Sequence, residues 1–282
     1  MMPVIKSGRK DFPRGHAYLG VEMVSGQSAV TSTWAASPIK ILVPQSRGTS
    51  AWAFTSSFGG GLVAGDQTQL EIKVGKGASC FVGTQASTKI YRNPSRHPCS
   101  HVTRALLAPG SLLVFAPDPV QAFTDSTYAQ QQSFHLDADA GLVLVDWFTS
   151  GRAARGERWK FACLRSRNDV FVDGERVFLD SIRLDAASGF MASEHQTGRF
   201  NCFATLLLLG TPMKEGSEKL LQDIAARPVG RRGALVASAS AVSGGALLRI
   251  AGASVEEVGR ELHQQLKFIT SFLGDDPWLR KW

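Results

Sequence analysis

Residues 59–66 read Gly59-Gly60-Gly61-Leu62-Val63-Ala64-Gly65-Asp66, and this stretch is the most informative feature of the chain. Its four glycines allow backbone dihedrals and close approaches that a β-carbon would forbid. In the segment that follows, apolar residues alternate with polar ones, with Leu70, Ile72 and Val74 on one side and Gln69, Glu71 and Lys73 on the other. That two-residue period is typical of a half-buried strand. The stretch therefore predicts a glycine turn that presents Asp66 at the mouth of a β-strand.

Outward from this turn, the chain alternates short apolar segments with turn signals, which favours many short strands. The predicted strands are 79–84, 112–116, 142–148, 161–164 and 204–209. Asp173-Gly174 predicts a hairpin between 170–172 and 177–179, because aspartate and glycine tolerate positive φ. Ser243-Gly244-Gly245 predicts a second hairpin between 235–239 and 246–250.

Helix signals are confined to the C-terminal third. Ser217 is the predicted cap of a short helix that ends before Pro228. Ser254 with Glu257 forms a capping box, and a helical stripe then ends at Gly274, formed by Val255, Val258, Leu262, Leu266, Ile269 and Leu273. No internal repeat or low-complexity linker is visible. We predict a mainly β protein, with residues 1–282 forming a single large domain of many short strands and two helices in the C-terminal third.

The composition indicates a soluble globular protein. The chain has 282 residues, 44% of them hydrophobic and 20% charged, and no apolar run approaches the ~20 residues of a membrane span. The basic residues Lys6, Arg9, Lys10 and Arg14 are not followed by an apolar segment, so no secretory signal is expected. The cysteines Cys80, Cys99, Cys163 and Cys202 are scattered, which predicts a reduced, cytoplasmic protein rather than a disulfide framework.

The formal net charge is +7. A solvated surface is the preferred explanation, then an acidic protein partner, and then nucleic acid. No block of five like charges occurs, and the aromatic residues do not interleave with basic ones as in a stacking platform.

Three further blocks accompany the glycine turn. They are 84–92, Ala116-Pro117-Asp118-Pro119-Val120, and 145–157 with Val145-Asp146-Trp147-Phe148 at its start. In order and spacing these four blocks resemble the UreD family of urease accessory proteins, also called UreH, from residue 12 to 188. Beyond residue 188 the resemblance rests on the last helix and on residues 277–280. It implies a non-enzymatic scaffold that binds apourease with UreF-like and UreG-like partners and helps deliver nickel, with no tightly bound cofactor and nickel only in transit.

Asp146 is the most informative single residue. It interrupts the apolar segment 142–148, and a buried carboxylate is costly unless it is paired, hydrogen-bonded, metal-bound or facing water. One interpretation pairs it with Arg152 or Arg155 in an ordered turn. The other places it on a polar, water-filled passage, and the resemblance favours that second interpretation.

The resemblance also implies interior roles for Asp66, Thr88 and Asp180, which with Asp146 form a candidate nickel path. Carboxylate and hydroxyl oxygens bind Ni²⁺ weakly compared with imidazole and thiolate, so such a path guides the ion without trapping it. The alternative is that Asp66 orders its own turn, Thr88 lies on a strand surface and Asp180 is solvated. For Asp180 the solvated alternative is preferred.

Two polar segments remain. His97-Pro98-Cys99-Ser100-His101 could converge on a soft or borderline cation, but Pro94 and Pro98 favour an exposed loop. The segment Arg152, Arg155 and Glu157 lies among glycines. It is interpreted either as an ion-paired turn or as a partner-binding surface that grips carboxylates, and the resemblance favours the partner surface.

Catalytic motifs are not evident in the sequence. Gly59-Gly60-Gly61 lacks the context of a dinucleotide fingerprint, and no Gly-Lys-Ser/Thr phosphate loop, Gly-x-Ser-x-Gly elbow or His-Glu-x-x-His motif occurs. We therefore do not expect an enzyme. The alternative function is a β-rich hydrolase or lyase in which Asp66 and Asp146 act as acid and base.

Overall fold

The computed structural model describes residues 12–45, 47–95, 97–228, 230 and 232–279. Lys6, Arg9, Lys10 and Arg280 lie outside the described residues, so the expectations that rest on them are not addressed. The structure is mainly β, as predicted, and its α-helices lie in the C-terminal third. Within the described ranges, none of the helices combines the length and apolar character that crossing a bilayer requires.

The strands are β1 His16–Val24, β2 Gln27–Ala35, β3 Ile39–Leu42, β4 Ala51–Ser57, β5 Gly61–Leu62, β6 Gln67–Val74, β7 Ser79–Thr84, β8 Thr88–Ile90, β9 Cys99–Leu107, β10 Leu112–Phe115, β11 Val120–Ala122, β12 Thr127–Leu136, β13 Gly141–Thr149, β14 Cys163–Val172, β15 Glu175–Asp185, β16 Cys202–Leu209, β17 Leu235–Val242 and β18 Gly245–Gly252. The α-helices are α1 Lys214–Ala225, α2 Val255–Leu266 and α3 Ile269–Leu273. Single 3₁₀ turns occur at Phe58–Gly60, Ala153–Arg155, Ala186–Ser188 and Thr211–Met213.

These strands form two sheets. The first sheet has the order β15-β14-β12-β9-β6-β1-β2, and the second has β17-β18-β16-β13-β10-β7-β4-β3, with β5, β8 and β11 attached beside β13. The longer strands from β4 to β14 alternate between the sheets. Within each sheet, neighbours from this set run parallel. The chain thus winds as a coil in which each turn adds one strand to each sheet, although the sequence carries no visible repeat.

The strand β13 lies at the centre of this architecture. Leu142 and Leu144 belong to an apolar cluster between the two sheets. Val143 and Val145 belong to a second cluster, which the helices cover on the outer side of the second sheet. Burial on both faces explains why this strand reads as a continuous apolar run rather than an alternating one.

The predicted hairpins are confirmed, because Val172 pairs with Glu175 and Val242 with Gly245 at the two antiparallel turns. The strand predicted at 161–164 is wrong in its first half, since β14 begins at Cys163. Phe161 instead lies fully buried in an aromatic-rich cluster before the strand.

The helices occur in the predicted regions, but the predicted cap of the first helix and the continuity of the second are wrong. Helix α1 begins at Lys214, directly after a 3₁₀ turn. The chain is therefore already helical when it reaches Ser217, which is buried inside the helix and does not cap it. Ser254 does cap α2, and its Oγ accepts a hydrogen bond from the Glu257 N–H at 3.2 Å. The predicted stripe divides into α2 and α3, and it ends at Gly274 as expected.

The glycine turn also behaves as predicted. Gly59, Gly60 and Gly65 have φ values of 76°, 72° and 81°. Gly61 is extended, but a β-carbon there would lie 2.5 Å from the Lys89 carbonyl oxygen. The missing side chain is what lets β5 pair closely with β8.

Candidate functional site

A band of polar side chains crosses the otherwise apolar space between the two sheets. On the first sheet, the strand register aligns Thr68, His101, Gln130 and Ser166 in one row and Thr103, Gln132, Asn168 and Asp180 in the next. On the second sheet, the register aligns Asp146, Thr205 and Arg249. We call these eleven residues the polar band.

Asp146 is the centre of the band, with 7% of its surface exposed. Its Oδ1 accepts a hydrogen bond from Gln130 Nε2 at 3.0 Å. Its Oδ2 accepts from Ser166 Oγ at 2.6 Å and from Asn168 Nδ2 at 2.8 Å. Burial raises the pKa of this carboxyl group, and the three hydrogen bonds oppose the rise.

Gln132 fixes the orientation of the Asn168 side chain. Gln132 Nε2 donates to Asn168 Oδ1 at 2.7 Å, so the Asn168 amide nitrogen is turned towards Asp146. Asn168 is only 1% exposed. Neutral amides and a hydroxyl thus hold the Asp146 carboxylate, and the interpretation that pairs it with Arg152 or Arg155 is wrong.

Asp180 is 5% exposed, so the preferred expectation of a solvated carboxylate is wrong. It lies opposite Asn168 in the β14–β15 register. Its Oδ1 accepts a hydrogen bond from Arg249 Nη2 at 2.8 Å, which forms an ion pair between the two sheets. Its Oδ2 is buried and has no hydrogen-bond partner.

His101 lies in β9 and not in an exposed loop, which corrects that part of the expectation for 97–101. Its Nδ1 is 2.8 Å from Thr68 Oγ1 and its Nε2 is 3.0 Å from Thr103 Oγ1. Burial lowers the pKa of His101 to about 4, so the ring is neutral at physiological pH. The two threonine hydroxyls therefore engage both ring nitrogens.

The rest of that segment does not gather around His101. Cys99 is buried and its thiol donates to the Val63 carbonyl at 2.8 Å, while His97 is exposed. Burial, the largest cause, and the nearby Asp66 carboxylate raise the pKa of Cys99. All four cysteines are buried free thiols. Among the described residues, no group of three or more His, Cys, Asp and Glu side chains is arranged to hold a metal ion.

Two cavities that border the band are relevant to the candidate site. The first has a volume of about 210 Å³ and is lined by Thr88, Asp146 and His101, with Asp118 and the residues around the glycine turn. The second has a volume of about 430 Å³ and is lined by Thr205 and Arg249, together with apolar residues such as Phe203 and Met191. Asp146, Thr205 and Arg249 are successive neighbours in one row, so the band extends from one cavity to the other.

Asp66 is not among the described residues that line either cavity. Its Oδ2 accepts a hydrogen bond from the Val63 N–H at 2.9 Å, so it orders its own turn. Of the four residues of the candidate path, Thr88 and Asp146 share a cavity and Asp180 lies beside Asp146, whereas Asp66 stands apart. The acid–base pair of the alternative function is therefore not assembled in the first cavity.

The arginine loop is partly an ion-paired turn. Arg152 contacts both carboxylate oxygens of Glu157, including an Nε–Oε2 hydrogen bond of 2.8 Å, and this contact lowers the pKa of Glu157. The Arg152 guanidinium also lies 4.3 Å from the centre of the Phe123 ring. Arg155 is exposed, and no ion pair to it is found within the described part of the chain.

Several members of the band were not identified from the sequence. Gln130, Gln132, Ser166, Asn168 and Arg249 were not singled out, and Asp118 was noted only within a family block. A signal was nevertheless present, because Tyr128, Gln130, Gln132, Phe134 and Leu136 share one face of β12. Two polar residues on a face that is otherwise apolar indicate a polar pocket in the core.

Comparisons with known proteins agree on one family. A family model described as UreD urease accessory protein matches residues 13–282. A urease accessory protein UreD from Sorangium cellulosum is 46% identical over 271 residues, covering 95% of this chain and 84% of the relative. A urease accessory protein UreD from an Anaeromyxobacter species is 38% identical over 266 residues, covering 94% and 89%. A urease accessory protein D from Arabidopsis thaliana is 32% identical over 287 residues, covering 92% and 97%.

Proposed function

This chain belongs to the UreD family of urease accessory proteins, and on that premise we propose that it is a non-enzymatic scaffold that helps carry nickel to apourease through the polar band. Membership of the family supports a role in urease maturation. The route through the band, and assembly with apourease and with UreF-like and UreG-like proteins, are the finer parts of the proposal.

The observation that carries the proposal is the state of Asp146. Its side chain lines the first cavity, and its hydrogen-bond partners Gln130, Ser166 and Asn168 are all neutral. A carboxylate paired with a cation would have its charge cancelled, whereas neutral donors oppose the effect of burial on the pKa without cancelling the charge, which can then attract a passing divalent ion. The Ser166 hydroxyl oxygen, 2.6 Å from Asp146 Oδ2, could replace part of the hydration shell of that ion.

The chemistry of the band favours transit over storage. Oxygen ligands bind Ni²⁺ more weakly than imidazole or thiolate ligands do. His101 is the imidazole of the band, and threonine hydroxyls engage both of its nitrogens. An ion would have to displace one of these hydroxyls before His101 could bind it. The band therefore attracts a cation and offers it few strong ligands.

The scaffold part of the proposal rests on charge. The net charge of +7 suits a protein partner that presents carboxylates. Arg155 is exposed and available for such a contact, while Arg152 and Glu157 are engaged with each other. We assign the partner contact to Arg155 and the shaping of its loop to Arg152 and Glu157.

Complementation tests the proposal. Apourease is expressed with its UreF-like and UreG-like proteins, with or without this chain, under limiting nickel. We expect the chain to raise the nickel content and activity of purified urease and to co-purify with apourease and the UreF-like protein. Equal nickel content with and without the chain would overturn the proposal, and so would turnover of a small substrate by the isolated chain without any effect on urease.

A further inference from the structure

The contact between Asp180 and Arg249 stands at the boundary between the polar band and the second cavity. Asp180 belongs to the first sheet and Arg249 to the second, and Nη2 lies 2.8 Å from Oδ1. The side chain of Asp180 is 6% exposed, whereas that of Arg249 is 50% exposed. Arg249 also lines the second cavity, so it reaches the buried carboxylate from the open side.

The pair leaves one oxygen unsatisfied. Asp180 Oδ2 is buried without a hydrogen-bond partner, and such an oxygen costs free energy. The nearest other carboxylate of the band is that of Asp146, whose pKa is raised in part by the charge on Asp180. Asn168 lies between them, opposite Asp180 in register and hydrogen-bonded to Asp146. Within the described residues of the band there are thus two buried carboxylates and one guanidinium, and the ion pair of Arg249 is with Asp180.

We propose that Arg249 is a displaceable plug, which occupies Asp180 until a divalent cation takes its place at the Asp180 carboxylate. The inference rests on the proposed function for the identity of the cargo. The half-exposed arginine can swing into solvent at little cost in solvation. A cation that replaces it gains Asp180 Oδ2 as well as Oδ1. The exchange also opens the boundary between the band and the second cavity.

The competing explanation is an ion pair that only holds the two sheets together. That role predicts a loss of stability when Arg249 is replaced and no gain in affinity for cations. The plug predicts that replacing Arg249 raises the affinity for cations, because the guanidinium no longer competes for the Asp180 carboxylate. Cation affinity therefore distinguishes the two explanations, whereas stability does not.

The experiment uses the purified full chain with Ni²⁺ as the probe, measured by equilibrium dialysis, and with Co²⁺ absorption as a spectroscopic readout. Arg249→Gln keeps a hydrogen-bond donor for Asp180 without the charge, and Arg249→Met removes both. We expect each to bind Ni²⁺ about tenfold more tightly than the wild type, since an opposing charge in contact with the site is gone. Arg249→Lys restores the charge and is expected to return the affinity to within about threefold of wild type.

Two further variants make the result specific. Arg249→Gln combined with Asp180→Asn should lose the gain in affinity. Arg227→Met is the matched control, because Arg227 forms a 2.8 Å ion pair with the largely buried Glu261 in the helical part of the chain. Its Ni²⁺ affinity should equal that of the wild type. An unchanged affinity in Arg249→Gln and Arg249→Met would overturn the plug, and so would a gain that survives Asp180→Asn.

The outcome separates this inference from the proposed function. If Arg249→Gln tightens Ni²⁺ binding but the chain has no effect on urease nickel content, the plug stands and the nickel route falls. If the chain raises urease nickel content but Ni²⁺ affinity does not respond to Arg249, the route stands and the plug falls.

Discussion

Replacing Asp146 by asparagine removes the charge at the centre of the polar band while almost preserving the shape of the side chain. Two unit charges 4 Å apart attract by about 4 kcal/mol at an effective dielectric constant of about 20, and a divalent ion doubles this to about 8 kcal/mol. Desolvation of the ion cancels much of that attraction. A tenfold effect on rate needs only about 1.4 kcal/mol of what remains. We therefore expect Asp146→Asn to slow nickel loading of urease by at least about tenfold.

The variant also changes the hydrogen bonds. Its amide oxygen can still accept from Gln130, but its NH₂ group then faces the NH₂ group of Asn168, which Gln132 holds in place. One buried donor is left unsatisfied, at a cost of about 1–3 kcal/mol, and this cost is reduced because a buried charge is removed as well. The free energy of unfolding, measured in urea, should therefore fall by no more than about 3 kcal/mol.

The assay follows the initial rate of urease activation under limiting nickel, with the nickel content of purified urease and pull-down of the complex measured in parallel. The matched control is Asp169→Asn, because Asp169 is similarly buried, at 5% exposed, but pairs with Arg167 on the other side of the sheet. We expect the control to assemble and load nickel normally. If Asp146→Asn assembles normally and loads nickel at the wild-type rate, the carboxylate has no part in the route and the reasoning is refuted.

Four further predictions test other features of the structure. His101 has a pKa of about 4 in the native state against an ordinary value of 6.5, so between these two values the unfolded state binds a proton that the native state does not. The free energy of unfolding should therefore fall by about 3 kcal/mol as the pH falls from 6.5 towards 4. In urea titrations His101→Gln should lack this loss, and parallel pH profiles of variant and wild type would contradict the assignment. Ser254→Ala should lower the free energy of unfolding by about 1 kcal/mol through the lost cap, and an unchanged urea midpoint would show that the cap contributes nothing. Burial raises the pKa of Cys80 to about 12, so only about 10⁻⁴ of it is thiolate at pH 8; we expect thiol reagents to label it rapidly only in denaturant, and equal labelling of the native protein would refute its burial. Arg155→Glu should weaken pull-down of apourease complexes without changing stability, whereas Arg104→Glu, a matched exposed reversal, should not; equal yields for both would remove Arg155 from the contact.

The parts of the fold that could be predicted from the sequence are those with local signals. Asp173-Gly174 specifies its hairpin through positive φ, and Ser254 specifies the start of α2 through its own hydrogen bond. The winding of the chain between two sheets could not be predicted, because each strand pairs with strands one full turn away. The start of α1 is not marked by a capping residue, because the preceding 3₁₀ turn at Thr211–Met213 runs directly into the helix.

The site was predictable at Asp146 because a carboxylate within the apolar segment 142–148 is unfavourable unless polar groups surround it. Asp180 gave no such signal. Its burial depends on Arg249, which lies on the opposite sheet and 69 positions later in the chain. Pro94 and Pro98 favour a loop at His101, but the strand begins at Cys99, immediately after Pro98, where a missing N–H is tolerated.

Strand β12 is not revealed by its hydrophobic pattern and carries two residues of the band, and the two facts have one cause. In β12 the inward positions change from Phe134 and Leu136, which pack in the core, to Gln130 and Gln132, which meet Asp146 and Asn168. The two-residue period continues without a break, but it no longer shows in the hydrophobicity. Polar side chains at inward positions remove the apolar alternation by which a strand is recognised. The fold tolerates this interruption because β13 is buried on both of its faces, so the core on the helical side stabilises the strand that holds Asp146.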